Sequence, residues 1–422
     1  MQKVLVIAYY WPPAGGPGVQ RWLKFVKYLP DFDIQPIVYV PENPSYPLVD
    51  EDLVNEVPEG VQVLKQPIKE PYGWASLLSK KKTKTISSGI IPDKQPTFVE
   101  KVLLWIRGNF FIPDARKLWV KPSIHFLAKV IADEGIKTII TTGPPHSLHL
   151  IGLGLKKRYD IHWIADFRDP WTSIGYHKKL RLTSYARRKH QNLEREVLVS
   201  ADKIVVTSNT TKQEFEAITP KPIKVITNGY DDDLQAIDLD SKFTISHIGS
   251  LLTGRNPKGL WQAIKELVAE NEAFQKSLTI QLAGVVGGEV LQSIQEFGLE
   301  SCTKTLGYLS HEKVLELQQK SQVLLVLEID SEETKGIIPG KLFEYLNAKR
   351  PILAIGPKDW EAGVMVEQSE VGVFCHQGDV DAIKAVLLDW FNRYEKGNLE
   401  CHSKGVEKFH RKALTESLAK FI

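Results

Sequence analysis

The chain has 422 residues, 43% hydrophobic and 25% charged, with a formal net charge of +3. That length gives ample core for two or three domains, and so small a net charge excludes a global electrostatic signature for nucleic acid. Cys302, Cys375 and Cys401 stand far apart, which fits a reducing cytoplasm and gives no metal-ligand spacing.

In chain order, short apolar runs alternate with amphipathic segments, the pattern of parallel α/β layers. Residues 4–8 read as a first strand, too short for the apolar region of a signal sequence. A helix is expected over 19–29. Strands follow at 36–40, 138–141, 162–166 and 203–207, with helices over 123–134 and 185–199. The pattern then restarts, with strands at 243–248, 278–283, 323–327 and 351–355 and helices at 260–270, 290–297, 341–348 and 380–394. Pro, Asp and Asn cluster over 220–240, so the domains are expected at 1–222 and 223–397. No apolar run reaches the roughly 18 residues that span a bilayer. The expected setting is cytoplasmic, in solution or at the inner face of the cell membrane.

Residues 72–121 fit neither layer. The segment holds the run Lys80, Lys81, Lys82 and Lys84, and in it Trp74, Trp105, Phe110, Phe111 and Trp119 interleave with Lys101, Arg107, Arg116 and Lys117. Bulky aromatics beside cations suit an anionic membrane surface. The alternative is a helix packed on the core with a solvated basic rim. His177, His190, His402 and His410 lie among charged residues and read as solvent-exposed.

Ligands of open parallel sheets bind at the carboxyl ends of strands, so the segments after strands carry the chemistry. Gly15, Gly16 and Gly18 follow the first strand and let a ligand approach the backbone ahead of a helix. Their spacing is not the dinucleotide fingerprint, and Pro17 removes a donor. Asp166, Arg168 and Asp169 follow the strand at 162–166. Two carboxylates flanking a cation are costly to bury unless paired or functional; they could orient a hydroxyl acceptor, or form a structural Asp–Arg pair. In the second half, Arg255 and Lys258 follow Gly249 and precede a helix, and Lys341 opens another. Cations there oppose the helix macrodipole unless an anion binds. Glu344 lies almost one turn beyond Lys341 on the same side, so the two could grip a phosphate and a sugar diol. The alternative is a solvated Lys341 paired with Glu344.

Six segments, in order along nearly the whole chain, resemble the GT-B-fold glycosyltransferases of family 4, the retaining group 1 type. They are the Gly15–Gly18 loop, Ser200-Ala-Asp-Lys-Ile-Val-Val-Thr-Ser208, Val225-Ile-Thr-Asn-Gly-Tyr-Asp231, the basic loop from Gly249 to Gly259, Leu306-Gly-Tyr-Leu-Ser310 and Lys341-Leu-Phe-Glu-Tyr-Leu346. The resemblance implies an α/β GT-B fold of two facing Rossmann-like domains with an interdomain cleft, the acceptor in the first, the sugar nucleotide in the second. It implies that a final helix, about 398–422, packs back on the first domain. No cofactor and no metal are implied, because the basic residues take the metal's place; the partners are a nucleotide-sugar donor and a glycan or lipid-linked acceptor, with no nucleic acid.

Three positions depart from the family pattern. Gly336 stands where a first glutamate of the donor motif is usual, with Glu332 and Glu333 nearby. Ser250 replaces an arginine, for which Arg255 would substitute. Arg168 aligns with a histidine usual near the donor sugar; the Arg–Asp–aromatic version of that loop resembles a subset acting on surface-polysaccharide precursors. The expected activity is transfer of a sugar from a nucleoside diphosphate to a hydroxyl, with Arg255 and Lys258 on the diphosphate, Lys341 close by, Glu344 on the ribose, and Asp166 or Asp169 orienting the acceptor. A sugar-nucleotide 2-epimerase on the same fold and a non-catalytic sugar-nucleotide-binding module are the rival readings.

Overall fold

The apolar runs form the interiors of two separate sheets in the computed structural model, which describes residues 1–70, 98–178, 180–231 and 237–422. The first sheet holds β1 (Gln2–Ile7), β2 (Ile34–Pro41), β3 (Gln62–Gln66), β4 (Thr138–Gly143), β5 (His162–Phe167), β6 (Lys203–Val206) and β7 (Ile223–Val225), in the order β3-β2-β1-β4-β5-β6-β7. The second holds β8 (Phe243–Ile248), β9 (Leu278–Ala283), β10 (Thr303–Gly307), β11 (Val323–Leu327), β12 (Ile352–Gly356) and β13 (Gly372–His376), in the order β10-β9-β8-β11-β12-β13. Their pairings are parallel. Both orders are doubly wound, and their direction reverses beside the first strand, between β1 and β4 and between β8 and β11. The helix after β1 and the helix after β8 therefore open beside the place where such sheets bind ligands.

The chain divides into unit 1, residues 1–228 with 411–422, and unit 2, residues 229–410. The expected boundary at 222/223 fell short because β7 pairs with β6 and completes the first sheet. Residues 398–410 stay with unit 2, since Leu399, Val406 and Phe409 are buried in its apolar clusters. Only the helix Arg411–Ala419 joins unit 1, where Leu414 and Leu418 pack with Val4, Val6, Trp22 and Ile226.

In unit 1 the core on one face of the sheet includes Leu5, Ile7, Trp119, Ile139, Trp163 and Phe167. In unit 2 it includes Ile245, Trp261, Ile280, Leu325 and Phe391. Trp119, from the stretch that suited either a membrane surface or a helix packed on the core, is fully buried and stacks on Tyr39 at 4.9 Å, as the second alternative requires.

Candidate functional site

In unit 2, β8 ends at Ile248 and Gly249 turns the chain with φ +120°, a left-handed conformation that suits glycine. A Cβ at Gly249 would sit 3.5 Å from Lys341 Nζ, so the strand end and the lysine meet directly. Lys341 belongs to the helix Gly340–Asn347. It makes no ion pair among the described residues. Its nearest polar partner is the His247 ring, with Nε2 at 3.1 Å. Burial, then the neighbouring Arg255, pulls its pKa down to about 7, opposed by Glu328.

Arg255 closes a short turn, Thr253–Arg255, and is held by Glu328, which follows β11. Arg255 Nε donates to Glu328 Oε1 at 2.9 Å and Nη2 to Oε2 at 3.2 Å. Lys258 begins the helix Lys258–Glu270, is exposed and makes no ion pair among the described residues. Glu344 accepts a bond from Gln318 Nε2 on Oε2 at 2.8 Å, and its Oε1 makes no hydrogen bond among the described residues. The structure thus gathers Gly249, Arg255 and Lys341 at the carboxyl end of β8, with Lys258 opening the next helix and Glu344 one turn along from Lys341. His247 and Glu328 had no role assigned from sequence. Glu328 carried a signal, a carboxylate directly after the apolar run 323–327.

In unit 1, Gly16 has φ +99° and precedes the helix Pro17–Tyr28. A Cβ at Gly18 would lie 1.9 Å from Arg168 Nη1, so the arginine rests against the glycine loop. A Cβ at Gly15 would meet the Leu48 side chain. The Arg168 guanidinium also donates to the Pro144 carbonyl and lies 5.7 Å from the Tyr10 ring centre.

The two aspartates differ. Asp166 is buried, and its Oδ1 takes Arg21 Nη2 at 2.9 Å while Oδ2 takes Trp22 Nε1 and Thr142 Oγ1 at 2.8 Å each. Burial pushes its pKa up, but the Arg21 guanidinium and these bonds outweigh burial and hold the carboxyl below its ordinary value. Asp166 is thus in a structural pair, but with Arg21 and not with the Arg168 of its own segment, and it knots the helix Pro17–Tyr28 to β4 and β5. Asp169 makes no hydrogen bond among the described residues, and burial pushes its carboxyl up against the pull of Arg168.

His177 and His190 correct the sequence reading, for both are buried. Trp171 Nε1 donates to His190 Nδ1 at 3.1 Å, and His146 stacks on Trp171 at 5.0 Å. Glu194 accepts the Trp171 and Thr172 amides at 3.1 Å each. The helix Ser184–Ser200 therefore turns one imidazole and one carboxylate inward to fasten the loop after Asp169, while Arg187, Arg188, Lys189 and Arg195 stay exposed.

The run Lys80–Lys84 and Trp74 lie outside the described residues. The helix Phe98–Phe110 buries Leu104 but leaves Val102, Trp105, Ile106 and Phe110 exposed, Trp105 at 40% and Phe110 at 60%. Asn109 ties its end to Thr183, accepting from N and Oγ1 at 2.8 Å each. Lys117 donates to the Phe110 carbonyl, and Lys189 lies 6.0 Å from the ring of exposed Tyr185. No helix among the described residues is long and apolar enough to cross a membrane, and no cluster of three or more His, Cys, Asp or Glu among them could hold a metal ion.

Comparison with known proteins bears on this geometry. Residues 90–234 match the model of Glycosyltransferase Family 4. The lipopolysaccharide outer core galactosyltransferase WaaB is similar in structure, with TM-score 0.59 and 13% identity over 100% of this chain and 99% of that one. The chain has the GT-B fold, two parallel-sheet α/β domains in sequence. Anabaena HepE in complex with UDP and glucose is similar at TM-score 0.58 and 14% identity, covering 100% and 99% of the two chains. A putative UDP-N-acetylglucosamine 2-epimerase from Listeria monocytogenes is similar at 0.55 and 12%, covering 99% and 94%. No curated protein matches the chain in sequence. The family match and the fold together support a glycosyltransferase.

Proposed function

We propose that the protein is a retaining, metal-independent glycosyltransferase that moves a sugar from a nucleoside diphosphate to a hydroxyl of a glycan or glycolipid acceptor in surface polysaccharide synthesis. The observation that carries this reading is Lys341, a half-buried cation with no carboxylate partner among the described residues, beside an arginine fixed by Glu328 at the end of β8. Such a pair is completed by an anion. A diphosphate leaving there is stabilised by Arg255 and Lys341, with Lys258 at the helix opening, as charge develops on it. Glu344 receives the ribose hydroxyls. In unit 1, Asp169 has a carboxylate free of hydrogen bonds among the described residues and takes the role of orienting the acceptor, while Asp166 holds the loop. HepE, a structure of the same fold, holds UDP and glucose, which supports a nucleotide-sugar donor. The departing phosphate receives the acceptor proton.

The acceptor side is proposed to rest on an anionic membrane. The exposed Trp105, Ile106 and Phe110 with Lys117 at the end of their helix, and the exposed Tyr185 with Lys189, support this, since aromatic rings and cations together favour the headgroup layer.

Incubation with a panel of radiolabelled sugar nucleotides, with and without EDTA, tests the reading. Transfer or donor hydrolysis that survives EDTA supports it. Sugar inversion without nucleotide release replaces it with the epimerase, and binding without turnover with the non-catalytic module.

A further inference from the structure

We propose that His247 is a positioning residue of the donor site: its uncharged ring holds one N–H of the Lys341 ammonium and leaves the other two for the anion. The inference rests on the reading of Lys341 as a diphosphate ligand.

His247 sits in β8 and is almost wholly buried. Its Nδ1 lies 3.1 Å from the carbonyl of Leu325 in the neighbouring β11. A carbonyl only accepts, so the proton sits on Nδ1 and Nε2 is left with a lone pair. Lys341 Nζ is 3.1 Å from that Nε2. An ammonium only donates, so the two contacts agree on a single tautomer. Burial, then the adjacent Lys341 and Arg255, keep the ring uncharged and outweigh the backbone contacts to Leu325 and Ser250, which favour its charged form. A charged ring there would have no lone pair and would repel the lysine.

The other charged groups at this point are Arg255, from the turn after β8, and Glu328, from the end of β11. Glu328 spends both oxygens on Arg255 and contributes a bond to neither Lys341 nor His247 among the described residues. The only fixed acceptor for the ammonium among the described residues is thus a neutral one. A carboxylate in the same place would neutralise Lys341 and compete with an incoming anion. A neutral imidazole orients the cation and leaves its charge available. A lysine stem has many rotamers, and a bound anion otherwise bears the entropy of fixing it.

Two amide variants separate this role from a purely structural one. In His247→Asn the amide reaches the Nδ1 position and can tie to Leu325, but it falls short of Lys341. In His247→Gln the amide oxygen reaches the Nε2 position and can accept from Lys341. The primary readout needs no ligand: NMR titration of isotope-labelled lysine side chains, with Lys341→Arg identifying the resonance. Losing the acceptor removes a hydrogen bond to the charged form, so the Lys341 midpoint should fall by about one pH unit in His247→Phe and His247→Asn. His247→Gln should bring it back towards the wild-type value. An unchanged midpoint in His247→Phe overturns the proposal, as does recovery in Asn with none in Gln. Should His247→Phe fail to fold, the Asn and Gln pair decides. Calorimetry with inorganic pyrophosphate is the second arm, with affinity expected to fall about tenfold in Asn and to recover in Gln. If the wild type binds neither pyrophosphate nor UDP, the donor-site reading falls and the proposal with it, whatever the titration shows. If it binds them and the midpoints do not move, His247 alone is misassigned.

Discussion

Glu328 grips Arg255 with both carboxylate oxygens, at 2.9 and 3.2 Å, while its own side chain is wholly buried. A two-bond grip fixes the plane of the guanidinium and leaves its Nη1 edge for a ligand. It also cancels the charge of Arg255, so the positive excess at the site rests on Lys341 and Lys258.

Arg255→Ala should therefore lower kcat/KM for the donor by roughly 10²–10³-fold, the loss that follows removal of one donor to a developing anion. Lys258→Ala should cost less, since that side chain is exposed. Steady-state donor hydrolysis measures both. Donor turnover unchanged in both variants removes them from the diphosphate site.

The Lys341 ammonium titrates near pH 7 before an anion binds. A bound diphosphate favours its charged form and raises that value. Below the lower value the lysine is already charged; above it, binding must take up a proton. UDP affinity should therefore weaken as pH rises from about 7.5 to about 9, by at most tenfold per unit. Calorimetry in two buffers of different ionisation enthalpy should register proton uptake, and Lys341→Arg should flatten the profile. A flat wild-type profile contradicts the assignment.

Glu344 should discriminate between ligands. Glu344→Gln weakens charge-assisted bonds to the ribose, each contributing about 1.5–3 kcal/mol at most. UDP binding should fall while pyrophosphate binding stays as it was. Equal losses for both would place the carboxylate near the phosphates instead.

The two aspartates should respond in opposite ways. Asp166→Ala strips a buried carboxylate from Arg21, Trp22 and Thr142, and loss of one partner of such a pair costs about 3–5 kcal/mol of stability. Asp169→Asn removes no hydrogen bond, so denaturant unfolding should change little while transfer to the acceptor falls. Comparable unfolding midpoints for the two variants would contradict the division.

For membrane docking, Trp105→Ser with Phe110→Ser should reduce sedimentation with anionic liposomes, and salt should weaken binding in the parent. Changing Lys80, Lys81, Lys82 and Lys84 to Ser should reduce it further. Retention on anionic liposomes after both sets of changes would leave the acceptor in solution.

The interior of both sheets was legible from sequence and their borders were not. The runs expected at 4–8, 36–40, 138–141, 162–166, 203–207, 243–248, 278–283, 323–327 and 351–355 all lie on interior strands. The four strands that went unread, β3, β7, β10 and β13, are the four edges. A parallel strand covered on both faces must be apolar throughout, and its run stands out. An edge strand is partly solvated: β10 is exposed over most of its length and β7 is only three residues long. Missing β7 is also what displaced the domain boundary. At the site, Lys341 and Arg255 were readable because a cation ahead of a helix conflicts with the macrodipole. His247 carried no such signal; a histidine inside an apolar strand looks the same whether it packs or positions. The burial of His190 was hidden for a related reason, because its charged neighbours Arg187, Arg188 and Lys189 lie on the exposed side of the helix while it points inward.

The chain crosses from unit 1 to unit 2 after Asn228 and returns only at Arg411, and this has a consequence for synthesis. Residues 411–422 are translated after the whole of unit 2. Until then the surface formed by Val4, Val6, Trp22 and Ile226 lacks Leu414 and Leu418, and Lys203 and Lys224 lack the Phe421 and Ser417 carbonyls they bind. The domain begun first at the ribosome is thus completed last, with an apolar patch uncovered while the domain begun second already has all its strands.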